Sequence, residues 1–198
     1  MDKLKSFQTK DRIAEMLRKE ILSGRIEDGQ ELTQKQLAEI LKVSRTPVRE
    51  ALQILELDGL LLRLHNRHVR VIGLNEHTIY ENMRVIAAIE SEIALILMEK
   101  GKLPGELAVQ DDRQFHNWLS QQVDNLYLRQ VHNRLLKVYP QYVWEICKDS
   151  GRLVSQNEEI MLALNNGNSD AVCRSIHKYY SVLAQTLLSH MKEEEHDE

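Results

Sequence analysis

The sequence predicts a mainly α protein in two parts: an N-terminal winged helix-turn-helix, made of three helices and a β-hairpin wing, and a C-terminal all-α helical bundle. Three observations predict it. Three helical stretches are followed by two short β-prone runs, 60–64 and 68–72, around His65-Asn66-Arg67. Beyond Gly73 apolar residues recur only at helical spacing. The charge also changes sign: residues 1–72 hold 14 Lys and Arg against 11 Asp and Glu, net +3, whereas residues 73–198 hold 12 against 19, net −7. A basic module joined to an acidic one divides naturally into DNA contact and regulation, so the expected domains are 1–72 and 73–198.

Each element has a local reason. Asp11 is a suitable N-cap for a first helix carrying Ile13, Met16, Leu17 and Ile21 and stopping at Gly24. Residues 24–32 read as a glycine-punctuated connection. Thr33 followed three residues later by Gln36 has the form of a capping box and opens a short helix with Leu37, Ala38 and Leu41. After a tight turn at Val43-Ser44, a third helix takes Ser44 or Thr46 as its cap and Pro47 in its first turn, where a missing N–H costs little. Its packing face is Val48, Ala51, Leu52 and Leu55. Arg45, Arg49 and Gln53 recur every four residues on another face, with Thr46 beside them, which is the layout of a recognition helix. Asp58-Gly59 ends it.

In the second part, Ile79, Met83, Ile86, Ile89, Ile93 and Leu97 mark a long amphipathic helix over 76–100. Further helices are expected over 107–122, 125–148, 153–165 and 169–191, with a break at 165–168 and Ser169 or Asp170 as the next cap. The acidic tail 193–198 reads as a frayed, solvated charge run.

Composition narrows the function classes. With 198 residues, 42% hydrophobic, 28% charged, three Pro and eight Gly, the chain is neither disordered nor collagen-like and is long enough to bury a core. No apolar run approaches the ~20 residues of a bilayer span, and the first residues are charged, so a cytoplasmic location and no membrane partner are expected. Cys147 and Cys173 form no CxxC pair and suggest neither a disulfide framework nor a cysteine zinc site. No Gly-rich phosphate loop, G-x-S-x-G elbow or H-E-x-x-H motif supports catalysis, and the chain is read as not an enzyme.

The stretch 44–52, Ser-Arg-Thr-Pro-Val-Arg-Glu-Ala-Leu, continued by Leu55-Glu56 and Asp58-Gly59-Leu60 and preceded by Gly24-x-Ile26-x-x-Gly29-x-x-Leu32, resembles the signature of the GntR family of bacterial transcription regulators. The resemblance covers about residues 8–72. It implies a homodimer on a double-stranded, palindromic DNA operator, with repression the expected sign. It gives Arg45 and Arg49 the major-groove base contacts, Ser44 and Thr46 base edges or phosphate, and Lys35 the DNA backbone. His65 would enter the minor groove from the wing, with Arg67 beside it. Members commonly carry glycine in the wing turn where this chain has Asn66.

The helical part resembles the FCD ligand-binding domain of the FadR-like subfamily, through Asp112-x-x-Phe115-His116, the following Asn125 and the segment 171–177 ending in His177. That resemblance implies a small-molecule effector of the organic-acid class and a divalent metal held by an aspartate and three histidines. The corresponding residues are Asp112, His116, Asn157 and His177. Asn157 stands where the pattern has histidine, so a zinc, nickel or manganese ion is expected to be weakly held. Ile86 and Ala87 stand where members often place an effector-facing arginine. His132 and His190 match nothing in the pattern and are read as surface or packing residues.

Overall fold

The first helix, α1 (Asp2–Leu22), begins well before the expected Asp11 cap; Asp11 lies within it, exposed. In this computed structural model, which describes residues 2–65, 68–104, 112–147 and 154–196, Ala14, Leu17, Ile21 and Leu22 form the buried stripe of α1. Gly24 follows at φ +87°, a left-handed conformation that ends the helix. The connection after it is not irregular throughout. Glu31–Leu32 form a short strand, β1, so the wing sheet has three strands where the sequence suggested two.

Thr33 caps α2 (Gln34–Leu41): its hydroxyl oxygen accepts from the Gln36 backbone N–H at 3.1 Å, as the capping-box spacing predicts. Lys42, left-handed at φ +53°, terminates α2. Ser44 is the N-cap residue of α3 (Arg45–Leu57), without a side-chain capping bond, and Pro47 sits in the first turn. Strands β2 (Leu61–Arg63) and β3 (Val69–Val71) pair antiparallel, and β1 adds to the far edge of β3, giving the order β1-β3-β2. The core of this domain is Leu17, Ile21 and Leu22 of α1, Val48, Ala51, Leu52 and Leu55 of α3, and Leu60, Val69 and Val71 from the sheet side. Arg18 ties α1 to the end of α3 through a largely buried ion pair with Asp58 at 2.6 Å.

The remaining elements are helical. α4 (Glu76–Glu99) buries Ile79, Met83, Ile86, Ile93 and Leu97. α5 (Asp112–Gln122) buries Phe115, His116 and Leu119; the expected start of this helix near 107 lies outside the described residues. The single helix expected over 125–148 is two, α6 (Leu126–Leu136) and α7 (Tyr139–Ile146). Pro140 is the reason, because it lacks the N–H that a continuous helix would need and is accommodated in a first turn instead. Asn125 caps α6 by accepting from the Leu128 N–H at 3.2 Å. α8 (Val154–Asn165) and α9 (Ser169–His196) complete the chain. The cap before α9 is Asn168, whose side chain accepts from the Ala171 N–H, rather than Ser169 or Asp170. The helix runs on through Glu193–Glu195, so most of the expected frayed tail is helical.

The chain divides into two compact units, Met1–Thr78 with Ser189–Glu198, and Ile79–Leu188. The division differs from 1–72 and 73–198 chiefly in that the last turns of α9 group with the first unit, where Met191 lies against Gly24 at 3.8 Å.

Candidate nucleic-acid interface and ligand pocket

The periodicity of α3 separates two chemistries. Val48, Ala51, Leu52 and Leu55 are buried, and the pattern leaves Arg45, Thr46, Arg49 and Gln53 exposed along the opposite side. Arg18, Arg25, Arg63 and Arg70 of the same unit are each bonded to a carboxylate, Arg63 to Glu56 at 2.7 Å and Arg70 to Glu31 at 2.7 Å. Among the described residues Arg45 and Arg49 have no such partner, so their guanidinium forks face solvent unneutralised. That is the state in which arginine can clamp guanine O6 and N7 with two parallel hydrogen bonds.

Ser44 and Lys35 are exposed on the same helix-turn-helix, Lys35 making only a 4.0 Å contact with Glu39 one turn on. His65 is exposed in the wing turn, which is closed by the Leu64 N–H donating to the His68 carbonyl at 2.9 Å. Arg67 and Asn66 lie outside the described residues. Glu31 clasps β1 to β3 through Arg70, whose hydrogen bond holds the Glu31 carboxyl below its ordinary range, with His68 at 3.6 Å adding to the effect.

The second unit contains a buried polar cluster centred on Glu90 of α4. Its carboxylate accepts from His116 Nδ1 at 2.8 Å, from His132 Nε2 at 2.9 Å and from the Tyr180 hydroxyl at 2.9 Å, and Ser120 Oγ lies 2.5 Å from His132 Nδ1. Glu90, His116 and His132 are fully buried. Burial alone pushes the Glu90 carboxyl up; the charge of His116 and the hydrogen bonds from both imidazoles outweigh it and hold the carboxyl far below its ordinary range. An ionised Glu90 accepts only, so the proton of His116 facing it sits on Nδ1 and that of His132 on Nε2. Trp144 stacks on the His116 ring at a centroid distance of 5.2 Å, Tyr179 lies tilted against it at 4.6 Å, and the Trp144 indole N–H donates to the Tyr179 hydroxyl at 2.6 Å. Burial, then the charge of Asp112, raises the Tyr179 phenol well above its usual value.

The four residues expected to hold a metal divide. Asp112 and His116 lie one turn apart on α5, and the Asn157 amide of α8 donates to Asp112. His177 does not join them. The buried stripe of α9 is Val172, Ile176, Tyr179, Tyr180, Leu183 and Leu187, and His177 falls beside Arg174 and Lys178 on the exposed side. At 100° per residue, a position two before Tyr179 points away from the bundle core.

The model for bacterial regulatory proteins of the gntR family matches residues 9–71, the helices and wing just described. The gluconate operon transcriptional repressor of Bacillus licheniformis is 27% identical over 224 aligned positions, covering 94% of this chain and 91% of that one. The protein of the same description from Bacillus subtilis (strain 168) is 26% identical, covering 89% and 84%. The N-terminal part of this chain, residues 9–71, is similar to the gntR family. The matched family and these two relatives are transcription regulators, not enzymes. The fold likeness extends over most of the chain: E. coli McbR/YncC superposes with a TM-score of 0.53 at 17% identity, covering 91% of this chain and 97% of that one.

The residues present in the second unit do not fit a metal centre of one aspartate and three histidines. Only one imidazole of the expected set, His116, is buried one turn from Asp112; an amide, Asn157, replaces the second and the third, His177, is exposed. No group of three or more His, Cys, Asp or Glu suited to a metal occurs among the described residues. Glu90, His132, Tyr179 and Tyr180 were missed by sequence reasoning. The stripe that places Glu90 toward the core was present in the spacing of Met83, Ile86, Ile93 and Leu97, since Glu90 falls midway on it.

Proposed function

We propose that this regulator is a repressor that binds a palindromic operator as a homodimer and is released by a small-molecule effector taken up in an FCD-like C-terminal bundle. The observation that carries the DNA reading is the pair of unneutralised guanidiniums, Arg45 and Arg49, one turn apart at the exposed start of α3. Recognition helices read base edges with their N-terminal residues, and Ser44, Thr46 and Lys35 are placed to fix register on phosphates. The repressor role of the two Bacillus relatives supports the sign.

Dimerisation follows from affinity and geometry. One small winged module gives little binding, and a two-fold pair held in register reads two half-sites about 34–36 Å apart. The second unit offers surface for such a contact: Leu126 and Tyr127 of α6 are 62% and 75% exposed in the single chain, beside a groove lined by Tyr127, Val131, Arg134 and Leu135. The effector is recognised by the bundle's own side chains; among the described residues of this unit Ser91, His116 and Asn157 are the buried groups left with an unpaired polar atom.

The test is fluorescence anisotropy with DNA from the chain's own promoter. Arg49→Ala is expected to cost about 1–3 kcal/mol and to relax preference at one position per half-site, while Lys35→Ala weakens all sequences alike and lowers the salt slope by about one. Unchanged affinity and base preference in Arg49→Ala would remove α3 as the reading element.

A further inference from the structure

Beyond the two exposed arginines, the outer side of α3 carries one more long polar side chain, Gln53. It is four residues past Arg49 and seven past Thr46. At about 100° per residue it therefore lies about 40° from the one and about 20° from the other, on a single exposed strip. Its amide hydrogen-bonds to no described residue. Gln30 and Gln36 of the same unit are committed: the amide oxygen of Gln30 accepts from the Glu27 N–H at 3.1 Å, and that of Gln36 from the Thr33 hydroxyl at 2.8 Å.

The carboxylates of α3 are both countered by cations of neighbouring elements. Glu50 lies 3.9 Å from Lys10 of α1, and Glu56 is held by Arg63 of β2 at 2.7 Å. What Gln53 adds to the strip is an uncharged amide with an acceptor and a donor group side by side. Phosphate oxygens only accept, so they use half of it. The major-groove edge of adenine, an N7 acceptor beside an N6 donor, matches both halves at once, whereas guanine presents two acceptors and suits arginine. Four residues advance about 6 Å along a helix, against about 3.4 Å per base-pair step, so Gln53 reaches a different base pair from Arg49.

We propose that Gln53 is a third base-reading side chain of α3 and selects adenine at one position of each half-site. This rests on the reading of α3 as the recognition helix.

The experiment uses full-length protein and the bound segment of its own promoter, with each base pair substituted in turn and every affinity measured by anisotropy at one salt concentration. Wild type is expected to prefer adenine at one position per half-site by about ten- to a hundredfold. Gln53→Ala is expected to bind all four bases equally at that position and to keep its other preferences. Gln53→Glu is expected to move the preference there to cytosine, whose N4 amino group donates to a carboxylate. Unchanged preferences in both variants overturn the proposal, and so does a weakening shared by all sequences, which marks a phosphate contact. Arg49→Ala separates the two readings. If it relaxes a different position while the Gln53 variants relax none, α3 remains the reading element and only the Gln53 assignment falls; if no α3 variant relaxes any position, both fall.

Discussion

At the scale of single residues, Glu90 carries the largest electrostatic commitment in the second unit. Removing one member of a buried charged cluster costs about 3–5 kcal/mol, because the partners stay buried without it. Glu90→Ala is therefore expected to destabilise the bundle by about that amount in denaturant titration, and a loss below about 1 kcal/mol would contradict the cluster. The sign of the pH dependence follows from the lowered carboxyl. Glu90 contributes stability above its unfolded pKa near 4.5, and that stability is lost as pH falls below it. Chemical denaturation between pH 7 and pH 3 is expected to show a shallower acid limb in Glu90→Gln than in wild type. Neither Glu90 nor Tyr179 was legible as part of a site. A carboxylate midway along an apolar stripe and a tyrosine in a core stripe carry no motif, whereas His177 carries one but lies on the wrong side of α9.

At the scale of elements, capping and periodicity were the legible features. The Thr33–Gln36 spacing located the start of α2, and Val48, Ala51, Leu52 and Leu55 gave α3 its buried face and hence its exposed one. Thr33→Ala is expected to cost about 1 kcal/mol of stability, read as a lowered denaturation midpoint with unchanged slope. What escaped was structure fixed by partners distant in sequence. β1 is two residues long and exists because Glu31 and Leu32 pair with Arg70 and Val69, nearly forty positions away. The break between α6 and α7 was visible in Pro140 but was outweighed by the apolar spacing around it. The run 193–195 looked frayed from its charge, yet it continues α9.

At the scale of the molecule, two units share one chain, and α9 supplies Tyr179 and Tyr180 to one and Met191 to the other. An effector acts on DNA affinity only through its different affinity for two states, typically about 1–3 kcal/mol of coupling. Dimerisation belongs to this scale too. Full-length protein is expected to sediment as a dimer, and Tyr127→Glu on the exposed α6 face to shift it toward monomer with a parallel loss of operator affinity. A monomeric wild type that still binds a palindrome tightly would contradict the two-fold reading. The most direct test of the central claim is the ratio of affinities for the chain's own promoter DNA and random DNA at one salt concentration. A sequence-reading repressor is expected to show a ratio of at least about 10³, falling sharply in Arg45→Ala and Arg49→Ala; near-equal affinities would make the chain a non-specific DNA binder and contradict the account.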